Sequence, residues 1–425
     1  MPPLQGSRSG SRSVPTLLKW VSLIEMNAPN ASDWVSFRQD LHRHPELGFA
    51  VERTAEKVAK ALTEMGVEVH RGLGKTGVVG VLRRGNSDAA IALRADMDAL
   101  PIDEIEARDH RSEYAGKMHA CGHDGHTTML LAAAEQLAAC TEWEGTIVFV
   151  FQPAEEGIGR GNLDPDAADA PRCGGEAMVR DGLFERFPVR AVYALHNWPA
   201  LPVGTVAVRV GAMMAATDEI EILFEGRGGH AAMPDEACDP VIAMAHFVVA
   251  AQTLISREVA PAEAAGVRLT QIETRGTRAS NVIPGSVLLR GTVRSLSLAT
   301  RALLHRRLRE QAAGVAATFG CKVHVMIDEG YPPTINAPRP AGIAERAARR
   351  LPDVQVRTDL PPSMGAEDFA FLAQAVAGAY LWLGQADDDH TAKLHSPAYD
   401  FHDGVLSTGI ALFCAIVREE LGTER

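Results

Sequence analysis

The feature that most constrains the fold is a set of short apolar runs, each followed by polar residues, that alternate with helical segments. The runs are rich in β-branched residues, which favours buried strands. They lie at 77–82, 90–93, 146–151 and 191–195. Between the second and third run, 127–139 has helical character. Strands that alternate with helices predict an α/β sheet covered on both faces.

The middle of the chain has a different pattern, which predicts a second domain. Residues 219–225 alternate apolar and polar with a period of two. Helix and strand candidates follow at 240–256, 267–273, 287–293 and 299–317. At 425 residues the chain exceeds the size at which one hydrophobic core stops growing. We predict a catalytic domain at 31–207 and 328–425, an inserted domain at 208–327 and a disordered tail at 1–30.

Charge and cysteine content limit the partners and the compartment. The net charge of -12 argues against nucleic acid, because phosphate neutralisation needs a clustered excess of Lys and Arg. A small-molecule substrate is expected instead. The six cysteines are scattered, which favours a reducing compartment, so we expect a cytoplasmic protein. No run approaches the ~18 apolar residues of a membrane-spanning helix, and the basic, Ser-rich N-terminus does not look like a signal peptide.

The segment MHACGHDGH is the strongest candidate for a metal site. Cys121 and His123 combine a thiol with an imidazole, a ligand set that suits borderline-soft divalent metals. The same segment also contains His119, Asp124 and His126. A lone Cys is usually a small buried hydrophobe and a lone His a hydrogen-bonded core residue, but five such groups within eight positions favour a metal site. No second Cys pair follows at zinc-finger spacing.

Further metal-capable groups follow the other apolar runs. Glu155 and Glu156 come directly after one run, where parallel sheets usually place active sites. Because side chains alternate along the backbone, one carboxylate can reach a metal while the other poises a water. The remaining candidates are Asp96, Asp98, His196 and His395. Each alone is more often a hydrogen-bonded or solvated residue, but together they predict an ion beside a general base.

Three polar residues of the inserted domain are further candidates. His230 lies in the Gly-rich string GRGGHAAMP, and Asn281 lies between two predicted strands in SNVIPG. The glycines around His230 are equally consistent with a tight turn alone. Arg294 could bind a carboxylate through its planar guanidinium, or face solvent.

Read together, these strings resemble a known family. The strings are ALRADMDALP, KMHACGHDGHTTML, FQPAEEG, ALHNWP, GRGGHAAMP, NVIPG, MGAEDF and LHSPAYDF. Their order resembles the aminoacylase and carboxypeptidase metallopeptidases, in the hippurate hydrolase branch that also contains plant indole-acetyl-amino-acid hydrolases and bacterial N-acyl-amino-acid amidohydrolases. The resemblance runs from about residue 34 to residue 412. It implies a zinc-peptidase-like domain with a central mixed sheet, and an inserted lid or dimerisation domain with a four-stranded sheet and two helices.

The resemblance also implies the roles of individual residues. It implies two divalent ions, manganese first, with zinc, cobalt and nickel as alternatives. The implied metal ligands are Cys121, His123, Glu156, His196 and His395. Glu155 would be the general base and Asp98 would orient a ligand, while Asp96 departs from the histidine of many relatives. In this branch the thiol stands in place of a bridging carboxylate.

The resemblance assigns the inserted domain to substrate binding in a homodimer or homotetramer. His230 would reach the active site of the partner subunit and steady the oxyanion. Asn281 and Arg294 match residues that hold the substrate carboxylate in related enzymes. The loop at 157–175, rich in Gly, Asp, Pro and Ala, departs from the family pattern; we expect a flexible flap there, and the departure leaves the shape of the acyl pocket open.

These assignments predict a metal-dependent amidohydrolase. It would hydrolyse N-acyl-amino acids such as hippurate to a carboxylic acid and a free amino acid, with metal-activated water and Glu155 as general base. A dipeptidase or carboxypeptidase of the same chemistry is the alternative. A non-catalytic binder is disfavoured, because a member that had lost its chemistry would have lost ligand or base positions, and these are all filled.

Overall fold

The computed structural model describes residues 31–157 and 170–423, so the tail predicted at 1–30 lies outside the described residues. An eight-stranded mixed sheet forms the centre, with strand order β1-β2-β4-β3-β5-β16-β6-β15. Its four middle strands run parallel. The strands are β1 (Glu68–Leu73), β2 (Gly77–Arg84), β3 (Ala90–Asp96), β4 (Gly145–Gln152), β5 (Val192–Pro202), β6 (Thr205–Ala207), β15 (Gln355–Arg357) and β16 (Gly378–Ala386). The predicted α/β sheet is confirmed.

Helices cover both faces of this sheet. They are α1 (Ala31–Arg43), α2 (Glu52–Glu64), α3 (His123–Ala139), α4 (Gly174–Arg180), α5 (Leu183–Arg186), α8 (Pro338–Arg349), α9 (Phe369–Ala375) and α10 (Leu406–Leu421). Leu93 of β3 packs in one core with α3, α8 and α10, while its neighbour Ala92 packs in the other with α4 and α9. Since both faces are buried, the strands read as continuous apolar runs rather than as an alternation.

A second, four-stranded antiparallel sheet has the order β10-β12-β8-β13. Its strands are β8 (Ala216–Glu225), β10 (Ala265–Arg275), β12 (Ser286–Ser295) and β13 (Lys322–Glu329). Helices α6 (Pro240–Thr253) and α7 (Leu298–Thr318) pack on the face that carries Ile220, Ile222 and Phe224. Two short pairs complete the strands: β7 (Gly211–Met214) with β14 (Thr334–Asn336), and β9 (Gly229–His230) with β11 (Val282–Ile283).

Asp218 of β8 joins the second sheet to helix α7 and to the residue that follows β13. Its buried carboxylate accepts hydrogen bonds from the Arg301 guanidinium and from the backbone N–H of Gly330, the latter at 3.2 Å. His305 Nε2 lies 2.6 Å from the same carboxylate. Gly330 directly follows β13, so this network fixes the end of β13 next to helix α7.

One helical stretch departs from an expectation. The sequence was expected to have no segment long and apolar enough to span a membrane, yet Pro240–Glu258 qualifies by length and composition alone. Ala243, Met244 and Phe247 on this stretch are buried against the second sheet, whereas Val249 is 72% exposed. The core helix of a globular domain passes the same test, so the finding is weak evidence for a span.

Candidate metal centre

The five predicted metal ligands come together at the ends of the central strands. Cys121, His123 and His196 form one group in which the ligand atoms lie within 4.8 Å of one another. Cys121, Glu156 and His395 form a second group by the same distance. Cys121 is therefore common to both groups, the arrangement expected of a thiolate shared by two ions.

The two histidines of the first group present the same ring nitrogen. His123 Nδ1 lies 2.8 Å from the carbonyl oxygen of Asp98, and His196 Nδ1 lies 2.6 Å from that of Asn197. In a neutral ring whose Nδ1–H donates to such a carbonyl, Nε2 carries the lone pair, so both rings can offer Nε2 to a metal. Burial lowers the pKa of His196 well below its usual value, so this ring is neutral, as ligation requires.

Local backbone conformation positions His123 and His395. Gly122 has φ +89°, and a Cβ there would lie 2.2 Å from the Asn197 side chain, so only glycine allows α3 to begin at His123. His395 has φ +63°, which is strained for a residue with a side chain. Its side chain is 53% exposed, so the second group opens toward solvent on the side of His395.

Glu155 and Glu156 are held by the carboxylate of Asp98. The backbone N–H of Glu155 donates to Asp98 Oδ1 at 2.8 Å, and that of Glu156 donates to Oδ2 at 3.2 Å. The preceding residue, Ala154, has φ +51° and directs the chain sharply out of β4. Asp98 thus fixes the paired glutamates through its side chain and His123 through its carbonyl.

The residues fit a pair of divalent cations. Among the described residues, His123 Nε2 is buried without a hydrogen-bond partner, although Glu155 Oε2 lies 3.8 Å and Glu156 Oε1 lies 4.0 Å away. Burial, with Glu156 as the nearest charge, raises the pKa of the Cys121 thiol well above its usual range. Because thiols bind metals as thiolates, cations at this position would supply the charge that the site lacks.

Glu155 lies beside the candidate ligands in an environment suited to a base. Its side chain is buried, and Oε1 accepts a hydrogen bond from the backbone N–H of Asp368 at 3.4 Å. Tyr331 donates its hydroxyl to the Glu155 carbonyl at 2.7 Å. Burial, followed by the Glu367 carboxylate, raises the pKa of Glu155 well above its ordinary value, which makes the carboxylate a stronger proton acceptor.

Sequence reasoning missed the buried charge network behind Glu155. Arg94 donates to Asp96 at 2.7 Å, to Asp368 at 2.8 Å and to the Gln152 side chain at 2.9 Å. Although burial alone would lower it, the carboxylates around Arg94 raise the pKa of this guanidinium. Asp96 also lies 2.7 Å from His126 Nδ1. An Arg within an otherwise apolar strand was the available signal, because a buried guanidinium needs carboxylate partners.

Two other residues of the MHACGHDGH segment are buried. Asp124 accepts from Arg38 at 3.1 Å and lies 2.9 Å from His42 Nδ1. His119 is buried, and burial lowers its pKa to about 3. Asp124 therefore ties the start of α3 to α1.

The three candidates of the 208–327 segment lie on or next to two separate elements, the short β9–β11 pair and β12. His230 and Asn281 are exposed, and the Ala231 N–H donates to the Asn281 carbonyl at 3.0 Å, which holds the two loops together. Arg294 lies on β12 eight residues beyond Ser286, about 26 Å along an extended strand. It is half-buried opposite Thr217. The fold thus groups His230 with Asn281 and places Arg294 elsewhere on the sheet.

The predicted flap at 157–175 falls mostly on residues 158–169, which lie outside the described residues. At its end the expectation is wrong, because Gly174 and Gly175 are buried in the first turn of α4. A Cβ on Gly174 would lie 1.6 Å from the Pro153 carbonyl oxygen, so the close approach of α4 to the end of β4 requires glycine there.

Comparison with known proteins agrees with this geometry. The model of a protein family described as "Peptidase family M20/M25/M40" matches residues 92–419. A hippurate hydrolase of Campylobacter jejuni is 36% identical over 92% of this chain and 97% of its own. An N-acetylcysteine deacetylase of Bacillus subtilis is 34% identical over 90% of this chain and 95% of its own. A solved Bacillus subtilis structure, described as a dinuclear metal-binding peptidase of the M20 family, has a TM-score of 0.78 at 30% identity and covers 91% of this chain and 97% of its own.

Proposed function

The chain belongs to peptidase family M20/M25/M40, and we propose that it is a metal-dependent amidohydrolase that cleaves N-acyl-amino acids to a carboxylic acid and a free amino acid. The observation that carries the proposal is the pair of ligand groups that share Cys121 beside the buried Glu155. The relatives named for hippurate and N-acetylcysteine favour N-acyl-amino acids over the dipeptides of the alternative assignment.

Five side chains would hold the two ions. They are Cys121, His123, Glu156, His196 and His395. When bound, the ions would act as Lewis acids that polarise the amide carbonyl and lower the pKa of water. Thiolate, imidazole and carboxylate donors together accept manganese, zinc, cobalt and nickel. We propose manganese first and keep the other three as alternatives.

Glu155 would move the proton in both halves of the reaction. Its carboxylate would take a proton from the attacking water and return it to the leaving nitrogen. Asp98 would act through others, because it fixes the Glu155 backbone with its carboxylate and the His123 ring with its carbonyl. His230 would donate to the oxyanion that forms as water attacks.

A substrate panel tests this function. We expect manganese-loaded protein to hydrolyse N-benzoylglycine and N-acetyl-amino acids, and to cleave unblocked dipeptides at least about tenfold more slowly, because a free ammonium would be desolvated without a partner. Release of the free amino acid would be quantified by amine derivatisation. Turnover of dipeptides alone would support the alternative, and no turnover of any member would exclude the proposal.

The 208–327 segment would serve as lid and dimerisation domain in a homodimer or homotetramer. β10 is an edge strand of the second sheet, and Ile272 on it is 59% exposed. The nearby helix α6 exposes Val249 at 72% and Ile242 at 47%. An unpaired strand edge beside an apolar helix face supports a contact with a second copy of the chain.

Mixed dimers test whether His230 acts across subunits. We expect Glu155→Gln and His230→Ala homodimers each to be nearly inactive. After denaturation and joint refolding, half of the dimers would be mixed, and each would contain one site with both native residues. Activity should then recover to about a quarter of the wild-type value. Refolded wild type and each refolded single variant serve as controls; no recovery above the single variants would place His230 in its own subunit.

The cytoplasm is the compartment that we propose. All six cysteines lie within the described ranges and are free thiols, which fits a reducing environment.

A further inference from the structure

Trp198 lies beside the candidate metal centre and has no role in the mechanism described above. It follows the ligand His196 by two residues on β5, so both side chains are on the same face of the strand. Their ring centroids are 6.2 Å apart. The indole therefore lies next to a candidate ligand of the first ion.

A second indole fixes the Trp198 ring in place. Trp198 stacks on Trp382 with centroids 4.2 Å apart and planes only 9° from parallel. Trp382 pairs in register with His196 on the neighbouring strand β16 and is 3% exposed, whereas Trp198 is only half-buried. Trp198 thus combines a fixed ring orientation with a partly exposed side chain.

We propose that Trp198 is a specificity-determining residue that favours substrates with a flat aromatic acyl group. This inference rests on the proposed function. Asn281 and Arg294 would take the carboxylate end of the substrate on the lid side, so the acyl end would point toward the catalytic domain, where Trp198 lies beside His196. A planar ring stacked on a fixed indole gains contact beyond simple burial, and an acetyl group cannot make this contact.

The inference separates two kinds of relative. The matching proteins include one named for hippurate, whose acyl group is aromatic, and one named for N-acetylcysteine, whose acyl group is a single small unit. The paired indoles favour the first kind of substrate for this chain. The competing explanation is that the two indoles only complete the core between β5 and β16.

The test compares two substrates that differ only in the acyl group, N-benzoylglycine and N-acetylglycine. We expect Trp198→Leu to lower kcat/KM for N-benzoylglycine by about tenfold and that for N-acetylglycine by less than about twofold. Trp198→Phe keeps a planar ring and should recover most of the benzoyl preference. Trp34→Leu, which removes a half-buried indole on α1, should leave the ratio of the two kcat/KM values unchanged.

Metal content and the activity of the wild type distinguish a failed inference from a failed proposed function. The variants are compared only after the metal-to-protein ratio and the thermal unfolding midpoint have been measured. If Trp198→Leu lowers kcat/KM for both substrates by the same factor, or changes neither value, the indole pair is only core packing and the inference is overturned. If the wild type hydrolyses dipeptides but neither acyl-glycine, the proposed function has failed instead, and the inference fails with it.

Discussion

Glu155→Gln is expected to lower kcat/KM by on the order of 10⁴-fold while the protein keeps both metal ions. The amide has nearly the shape of the carboxylate, and its oxygen can still accept the hydrogen bond from the Asp368 N–H. It cannot take a proton from water at neutral pH. The loss therefore measures the proton transfer itself rather than a change of packing.

The neighbouring carboxylate supplies the matched control. Glu156 is one residue away and belongs to the ligand group of Cys121 and His395. We expect Glu156→Gln to lower the metal-to-protein ratio, measured by mass spectrometry of the metal, whereas Glu155→Gln leaves this ratio unchanged. Glu155→Ala should behave like Glu155→Gln. A Glu155→Gln protein that retains more than about a tenth of the wild-type rate would remove Glu155 from the role of base.

The fold was predictable where burial leaves a pattern in consecutive residues. Strand β4 is buried on both faces and reads as a continuous apolar run. Strands β6 and β15 have three residues each and pair only because the rest of the chain brings them together. Strand β13 alternates with Val323, Val325 and Ile327 on one side, so its signal was present in the sequence and was overlooked.

The candidate site was predictable where chemistry sits in short strings. Cys121 and His123 were found because unusual residue types cluster in one short string, and the paired glutamates because they closely follow a strand. Arg94 was missed because its partner Asp368 is 274 residues away along the chain and meets it only in the fold. The role proposed for His230 would depend on a second copy of the chain, which no pattern within a single sequence can specify.

Cys121→Ala is expected to lower the affinity for both ions by more than about 100-fold, because it removes the one ligand that the two groups share. Loss of any other ligand affects one group directly, whereas loss of the thiolate also removes the negative charge between them. The four remaining ligand side chains would then lack a shared donor between the two ion positions. The measurement is the metal-to-protein ratio after dialysis against a metal-free buffer, so it does not depend on catalytic activity.

Cys121→Asp separates ligation from packing. An aspartate at this position would offer a negatively charged carboxylate in place of the thiolate, so the aspartate variant should retain both ions while the alanine variant loses them. Cys140→Ala makes the same substitution at the far end of α3 and should leave the metal content unchanged. If Cys121→Ala keeps the full metal content, the thiol is only a buried neighbour of His196, 3.4 Å away, and the shared-ligand arrangement is wrong. If Cys121→Asp binds both ions and Cys121→Ala does not, the position bridges the ions through negative charge, because the two variants differ chiefly in the carboxylate.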